Sequence, residues 1–363
     1  MEQSIKNTLG MELPERIKSY RIIKELAAGG AGVVFEALDE RAERKVAMKF
    51  LRPELARERR QVKRFQNEAR TAASIRHPNV VSVHKYGVHN KVPFIIMEHV
   101  DGETLREKIR RDGAMDEVNA VDYLFQATIG LAAAAQAGHV HRDIKPSNIM
   151  VNKNGRIKIT DFGLARSAEY GDALTQPNYI VGTPNFISPE QATQGEVDFR
   201  ADMYALGATF YYVLTGKLPF PEAMTVTEAI HAHAFEMPKP IKEICPHLSN
   251  RLCRIVTKLL AKDPEERYDS YETLLANIEY LKRNLDSEIK SSSPSLPKTS
   301  PKVRKRKTYK RKEVRKKLKG SGYQRRIATV QPSSQEENGF GQWVVGLVAA
   351  ACAFIGVGLT IKL

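Results

Sequence analysis

Four residues carry the strongest chemical signal in this sequence. Asp143, Lys145 and Asn148 lie within His141-Arg142-Asp143-Ile144-Lys145-Pro146-Ser147-Asn148, and Asp161 opens Asp161-Phe162-Gly163. Moving a phosphoryl group to a hydroxyl needs an acceptor for the hydroxyl proton, cations against the phosphate charge, and oxygen ligands for magnesium. These four side chains, in this order and at loop spacing, supply that set. Two weaker signals lie upstream. The stretch Leu26-Ala27-Ala28-Gly29-Gly30-Ala31-Gly32-Val33-Val34 reads either as a plain Gly-Ala hairpin turn or as a loop whose backbone approaches phosphates. It is not a Walker A loop, because no Gly-Lys-Ser/Thr follows. Val46-Ala47-Met48-Lys49 ends an apolar run in one Lys, a residue that is ordinarily solvated when it stands alone.

Taken together, these motifs resemble the eukaryotic-type protein kinase superfamily, and more closely its bacterial Ser/Thr branch, over about Tyr20 to Asn284. The resemblance implies an α+β, bilobal kinase fold: a small antiparallel sheet with one main helix, followed by a larger helical lobe. It implies an ATP-dependent Ser/Thr protein kinase using magnesium, with manganese as the alternative ion, and acting on protein substrates. Lys145 two residues after Asp143 resembles the Ser/Thr rather than the Tyr enzymes.

Residue roles follow by the same resemblance. Lys49 holds the α- and β-phosphates and pairs with Glu68; read without the family, Glu68 is a solvated helix carboxylate. Asp143 is the catalytic base, Lys145 steadies the γ-phosphate, and Asn148 and Asp161 are the metal ligands. Residues 26–34 cover the nucleotide. Val34 and Ala47 lie above the adenine and Met150 below it. Met97 is the gatekeeper, with Glu98 and Val100 offering backbone hydrogen bonds; without the family these are plain core positions. Glu190 is expected to pair with Arg267, and Asp202 to brace the catalytic loop. Gly182-Thr183-Pro184 and Ser188-Pro189-Glu190 resemble the substrate-facing loop and the end of the activation segment. Arg142 points to a phosphorylated loop residue, for which Thr175 is the leading candidate ahead of Tyr179 and Thr183. One position departs from the pattern: Ala27 stands where the loop's first glycine is usual, which bears on nucleotide affinity.

The elements that must position these groups are also legible. Arg21–Leu26, Val33–Leu38, Arg44–Leu51 and Phe94–His99 are short apolar or alternating runs that predict strands, and residues 57–75 predict a helix. After Gly102 the pattern becomes helical, over Val118–Ala137, Ala201–Thr215, Arg251–Ala261 and Tyr271–Leu285. Residues 20–285 are the predicted kinase domain, after an N-terminal extension over 1–19.

Composition sets the remaining bounds. The chain has 363 residues, 42% apolar and 27% charged, with a net charge of +15. Between Lys298 and Arg326 stand 15 Lys or Arg and one acid, Glu313, so nearly all the excess charge belongs to that segment. Residues 286–341 are rich in Ser, Pro, Lys and Arg and predict a disordered linker. Residues 342–361 predict a transmembrane helix, with 19 uncharged residues from Trp343 to Ile361. The basic flank places the kinase part in the cytoplasm, at the inner membrane of a bacterium, with residues 362–363 on the far side. The basic run suits anionic lipid headgroups; its lack of aromatic interleaving beyond Tyr309 and Tyr323 argues against nucleic acid. Small residues four apart, such as Gly346 and Ala350, permit helix association and a homodimer. The three cysteines, Cys245, Cys253 and Cys352, form neither a zinc motif nor a disulfide framework, and the N-terminus lacks the apolar core of a secretory signal.

Overall fold

The N-terminal sheet is built around a strand that is buried on both faces. Strand β6 (Arg44–Leu51) has six consecutive buried residues from Val46 to Leu51, a near-continuous apolar run interrupted only by Lys49. Side chains alternate across a strand. Val46, Met48 and Phe50 therefore join Phe35 and Phe94 in one core layer, while Ala47, Lys49 and Leu51 face the opposite side. The structure is a computed structural model that describes residues 4–6, 12–30, 32–162 and 184–292.

Three short strands come first: β1 (Ser4–Lys6), β2 (Glu12–Pro14) and β3 (Arg16–Ile17). They are followed by β4 (Tyr20–Ala28), β5 (Gly32–Asp39) and β6. Strands β7 (Val83–His89) and β8 (Val92–Glu98) complete a six-stranded antiparallel sheet in the order β3-β4-β5-β6-β8-β7. Between β6 and β7, a one-turn helix α1 (Pro53–Ala56) precedes α2 (Arg59–Ser74). The helix expected over 57–75 is thus preceded by a separate turn, for which Pro53 at the first helical position is suited. Phe65, Ala69 and Ala72 on α2 are buried, and Phe65 and Ala69 pack against Leu51 and Ile95 of the sheet. That face carries Glu68 toward Lys49.

A three-stranded sheet, order β11-β10-β9, lies below: β9 (Gly102–Thr104), β10 (Ile149–Asn152) and β11 (Ile157–Ile159). An isolated parallel bridge, Val80 to Ile159, ties it to the segment before β7. The helical lobe contains α3 (Leu105–Asp112), α4 (Glu117–Gln136), α5 (Pro189–Ala192), α6 (Phe199–Thr215), α7 (Val226–Phe235), α8 (Ile241–Ile244), α9 (Asn250–Leu259) and α10 (Tyr271–Ser292). Helix α6 buries nearly every residue from Ala201 to Thr215, as a helix at the centre of a lobe should. The four long helices predicted from the sequence are present within one or two residues of their starts, and α10 continues past Leu285 to Ser292.

The predicted span over 342–361 and nearly all of the predicted linker lie outside the described residues. Among the described residues, no helix is long and apolar enough to cross a membrane.

Candidate active site

Two charged clusters lie close together, joined through the Thr160 N–H to Asn148 carbonyl bond and near enough for the Lys145 charge to act on Asp161. In the first, Lys49 Nζ donates to Glu68 Oε1 and to Asp161 Oδ1, both at 2.7 Å. Sheet alternation turns Lys49 toward α2, and the spacing from Phe65 places Glu68 on the helix face that packs there. Burial works against the ammonium, but the carboxylates of Asp161 and Glu68 outweigh it and hold Lys49 above its ordinary value. Burial also opposes ionisation of Asp161, yet Lys49 holds that carboxyl below the usual carboxylate range. Glu68 differs: burial, joined by the Asp161 charge, outweighs Lys49 and holds its carboxyl above the ordinary value, so the protonated lysine is matched most firmly by Asp161.

In the second cluster, Lys145 Nζ donates to Asp143 Oδ2 at 2.7 Å. The Asn148 amide donates to the Asp143 carbonyl at 2.8 Å and to Oδ2 at 3.1 Å. Donation by Nδ2 fixes the amide orientation, leaving the amide oxygen as the group that can act as a ligand. With the Asp161 carboxylate, 39% exposed along its side chain, it makes a hard, all-oxygen pair. No group of three or more His, Cys, Asp or Glu gathers among the described residues. This donor set fits magnesium, which keeps water and phosphate ligands and needs only one or two from the protein.

The loop between the clusters is held from below. Asp202 on α6, 2% exposed, accepts the backbone N–H of His141 and of Arg142, each at 2.7 Å. Arg142 adopts φ +65° and Asp161 φ +58°, left-handed values that cost a non-glycine residue about 1–2 kcal/mol each. The Asp202 bond to Arg142 N, and the Gln191 amide donating to Arg142 O at 2.9 Å, offset that cost. The fully buried His141 ring accepts Asp143 N–H at Nδ1 and therefore donates from Nε2 to Thr160 O at 2.9 Å. Thr160 N in turn donates to Asn148 O at 3.0 Å, and the His141 and Phe162 rings stand 4.6 Å apart. These bonds fix the Asp143 and Asp161 segments relative to each other. His141, Thr160 and Gln191 had no role assigned from sequence; only the position of His141 inside the catalytic motif could have flagged one of them.

The apolar side of the cleft brings together the residues expected around adenine. Ala47, Met97 and Val100, with Val81, form a separate cluster against which Val34 and Met150 pack. The Glu98 N–H already donates to Ser82 O at 2.8 Å, so a hydrogen bond offered by Glu98 falls to its carbonyl. Its side chain pairs with Lys158 at 2.8 Å. Behind Met97 is a small cavity of about 20 Å³, lined in part by Glu68, Ala72, Asp161 and Phe162.

The glycine-rich stretch closes with a hairpin bond, Gly29 N to Gly32 O at 2.8 Å, and Arg52 Nε holds Gly29 O at 2.9 Å. Its glycines serve different ends. A Cβ at Gly32 would stand 1.9 Å from Phe50 O, whereas one at Gly29 would meet nothing within 4 Å. Gly32 is required by the neighbouring strand, a reason the sequence did not disclose. Val33, counted among the nucleotide-covering residues, is fully buried in the core layer with Phe35 and Phe50, so its side chain is not on the cleft side. Ala27 pairs with Val34 within the sheet and is not among the residues with positive φ; its methyl is accommodated without backbone strain. Leu26, Ala28 and Gly30 are exposed along the same rim. Ala31, Gly163, Thr175, Tyr179, Gly182 and Thr183 lie outside the described residues.

Further down, Glu190 and Arg267 form the expected ion pair at 2.8 Å. A two-lobed fold with the Lys49–Glu68 and Asp143–Asn148 pairs close together is the architecture of a protein kinase domain. The chain belongs to the protein kinase domain family, which it matches over residues 20–277. It is 38% identical over 274 residues to serine/threonine-protein kinase PknB of Mycolicibacterium smegmatis, covering 74% of this chain and 44% of that protein. It is 39% identical over 264 residues to PknB of Mycobacterium tuberculosis, covering 71% and 42%. The chain thus spans less than half the length of these relatives. Among solved structures, it is similar to the Mycobacterium tuberculosis PknI kinase domain, with a TM-score of 0.58 and 25% identity over 73% of this chain and 97% of that one.

Proposed function

We propose that this chain transfers the γ-phosphate of ATP to Ser or Thr hydroxyls of proteins. The observation that carries the reading is the Asp143–Lys145–Asn148 cluster, joined to the Lys49–Glu68–Asp161 cluster through the bond from Thr160 N to Asn148 O. Asp143 orients the substrate hydroxyl and takes its proton, while Lys145, held against the same carboxylate, sits where the transferred phosphoryl charge must be met. Lys49 binds the α- and β-phosphates, and Glu68 keeps its ammonium aimed into the cleft. Asn148 and Asp161 hold magnesium, which when bound neutralises phosphate charge. The apolar cluster of Val34, Ala47, Met97, Val100 and Met150 receives the adenine. The likeness to mycobacterial kinases named serine/threonine-protein kinases supports the hydroxyl class.

Thr175 is the proposed autophosphorylation site, with Arg142 as its phosphate partner. The basic segment and the apolar run over 342–361 are proposed to tether the kinase to a membrane rich in anionic lipid, with helix association as a route to a homodimer.

The test is to incubate the full chain with labelled ATP and magnesium, beside Asp143→Asn. Label on the wild type and a loss of about 10²–10⁴-fold in the variant are expected. Equal labelling of both, or none of either, overturns the reading.

A further inference from the structure

Helix α3 carries four basic residues, and its acidic neighbours serve only two of them. Arg111 pairs with Asp112 through Nε at 2.7 Å and with Glu103 through Nη2 at 2.9 Å. Lys108 pairs with Asp112 at 3.0 Å. Glu107 is spent on the helix cap, where its carboxylate accepts Thr104 N–H at 2.8 Å. Arg106 and Arg110 are left exposed, with no ion pair or hydrogen bond to any described residue.

Their spacing of four puts both guanidinium groups on one face of the helix, and that face looks into the cleft. Arg106 and Arg110 line the same open space of about 790 Å³ as Asp143, Lys145 and Gly30. Pro184 and Asn185, at the start of the substrate-facing stretch, form another part of its wall. Two like charges one turn apart repel each other, and nothing among the described residues relieves them. A guanidinium fork matches the geometry of a carboxylate, which it can hold through two hydrogen bonds. Asp143 is not that partner: neither arginine has a hydrogen bond or ion pair to it, and its Oδ2 is held by Lys145 and Asn148.

We infer that Arg106 and Arg110 select protein substrates with Asp or Glu side chains close to the acceptor hydroxyl, on the α3 side of the cleft. This rests on the proposed phosphotransfer to proteins. Acidic segments fit the site by charge complementarity, and basic segments are repelled from it.

The test uses the full chain with three sets of Ser-containing peptides, whose flanks on either side of the acceptor carry Glu, Ala or Lys. Acidic flanks on one side are expected to raise kcat/KM about tenfold over Ala, chiefly through KM, and high salt is expected to erode the difference. In R106E/R110E the order should reverse in favour of Lys flanks, with the KM for ATP unchanged. Equal use of all peptides by the wild type, or an unreversed preference in the variant, overturns the inference. Peptide binding to the Asp143→Asn chain, followed by fluorescence anisotropy, separates the two readings. Tighter binding of acidic peptides there keeps the selectivity even if transfer fails, and charge-blind binding removes it even if transfer succeeds.

Discussion

The Arg267 guanidinium meets the Glu190 carboxylate through two parallel hydrogen bonds, Nη1 to Oε1 and Nη2 to Oε2, both at 2.8 Å. The arginine side chain has no exposed surface. Its remaining donors go to the carbonyls of Ala261, Lys262 and Arg200, so the whole fork is satisfied. The pair anchors the start of α5, and with it the segment leading to the substrate cleft, to the turn before α10.

Removing one member of this pair leaves the other charge buried without a partner. Arg267→Ala is expected to lower the unfolding free energy by about 3–5 kcal/mol, measured from the urea midpoint at constant m-value. A loss below about 1 kcal/mol would show that the pair is dispensable.

Acid should destabilise the fold partly through His233. Its ring, 1% exposed, bonds Tyr204 OH through Nδ1 at 3.0 Å, and burial, aided by the nearby Lys262 charge, pushes it down to about 3 from 6.5. The unfolded chain therefore binds the extra proton first. The stability due to the neutral ring is complete above pH 6.5 and is lost as pH falls toward 3, at up to about 1.4 kcal/mol per pH unit. His233→Gln should unfold with a shallower dependence on pH in this window. Parallel slopes for the two proteins would remove His233 from the account.

The glycines at 29 and 32 should respond oppositely to alanine. Gly32→Ala drives a methyl into the Phe50 carbonyl and is expected to cost about 1–3 kcal/mol or more, with a lower Tm and weaker nucleotide binding. Gly29→Ala has open space around it, and its Tm should stay within about 1 °C of wild type. Matching Tm losses in the two variants would contradict the assigned contact.

Lys49→Met should reduce kcat/KM for ATP by about 10²–10³-fold, the scale for losing one aligned cationic partner of the transferring phosphates. Glu68→Gln, which keeps a hydrogen-bond acceptor for the lysine, should lose less. Steady-state kinetics with ATP varied would reveal this ranking, and its inversion would assign Glu68 a role other than steadying Lys49.

The charged centre was legible because its residue types stand in a fixed order over a short run, so the motif carries its own geometry. The Glu190–Arg267 and Asp202 contacts were legible only through resemblance, since 77 residues separate the first pair. Other features required the fold itself. Strands β9 to β11 have three or four residues each, too few to show a period. Helix α3 has only Leu105 and Ile109 buried among charges, so its apolar stripe is thin and it passed unpredicted. The direction of Val33 depends on the register of β5 against β6. The left-handed Arg142 is imposed by Asp202 and Gln191, residues distant in sequence.

The cavity behind Met97 makes this side chain a lever for pharmacology. At about 20 Å³ the space holds no more than about one water, so no aromatic ring fits in it while Met97 is in place. Shortening Met97 to Ala or Gly would join the cavity to the adenine cluster. That variant is then expected to bind a ring too bulky for the wild-type protein against Ala47 and Val100.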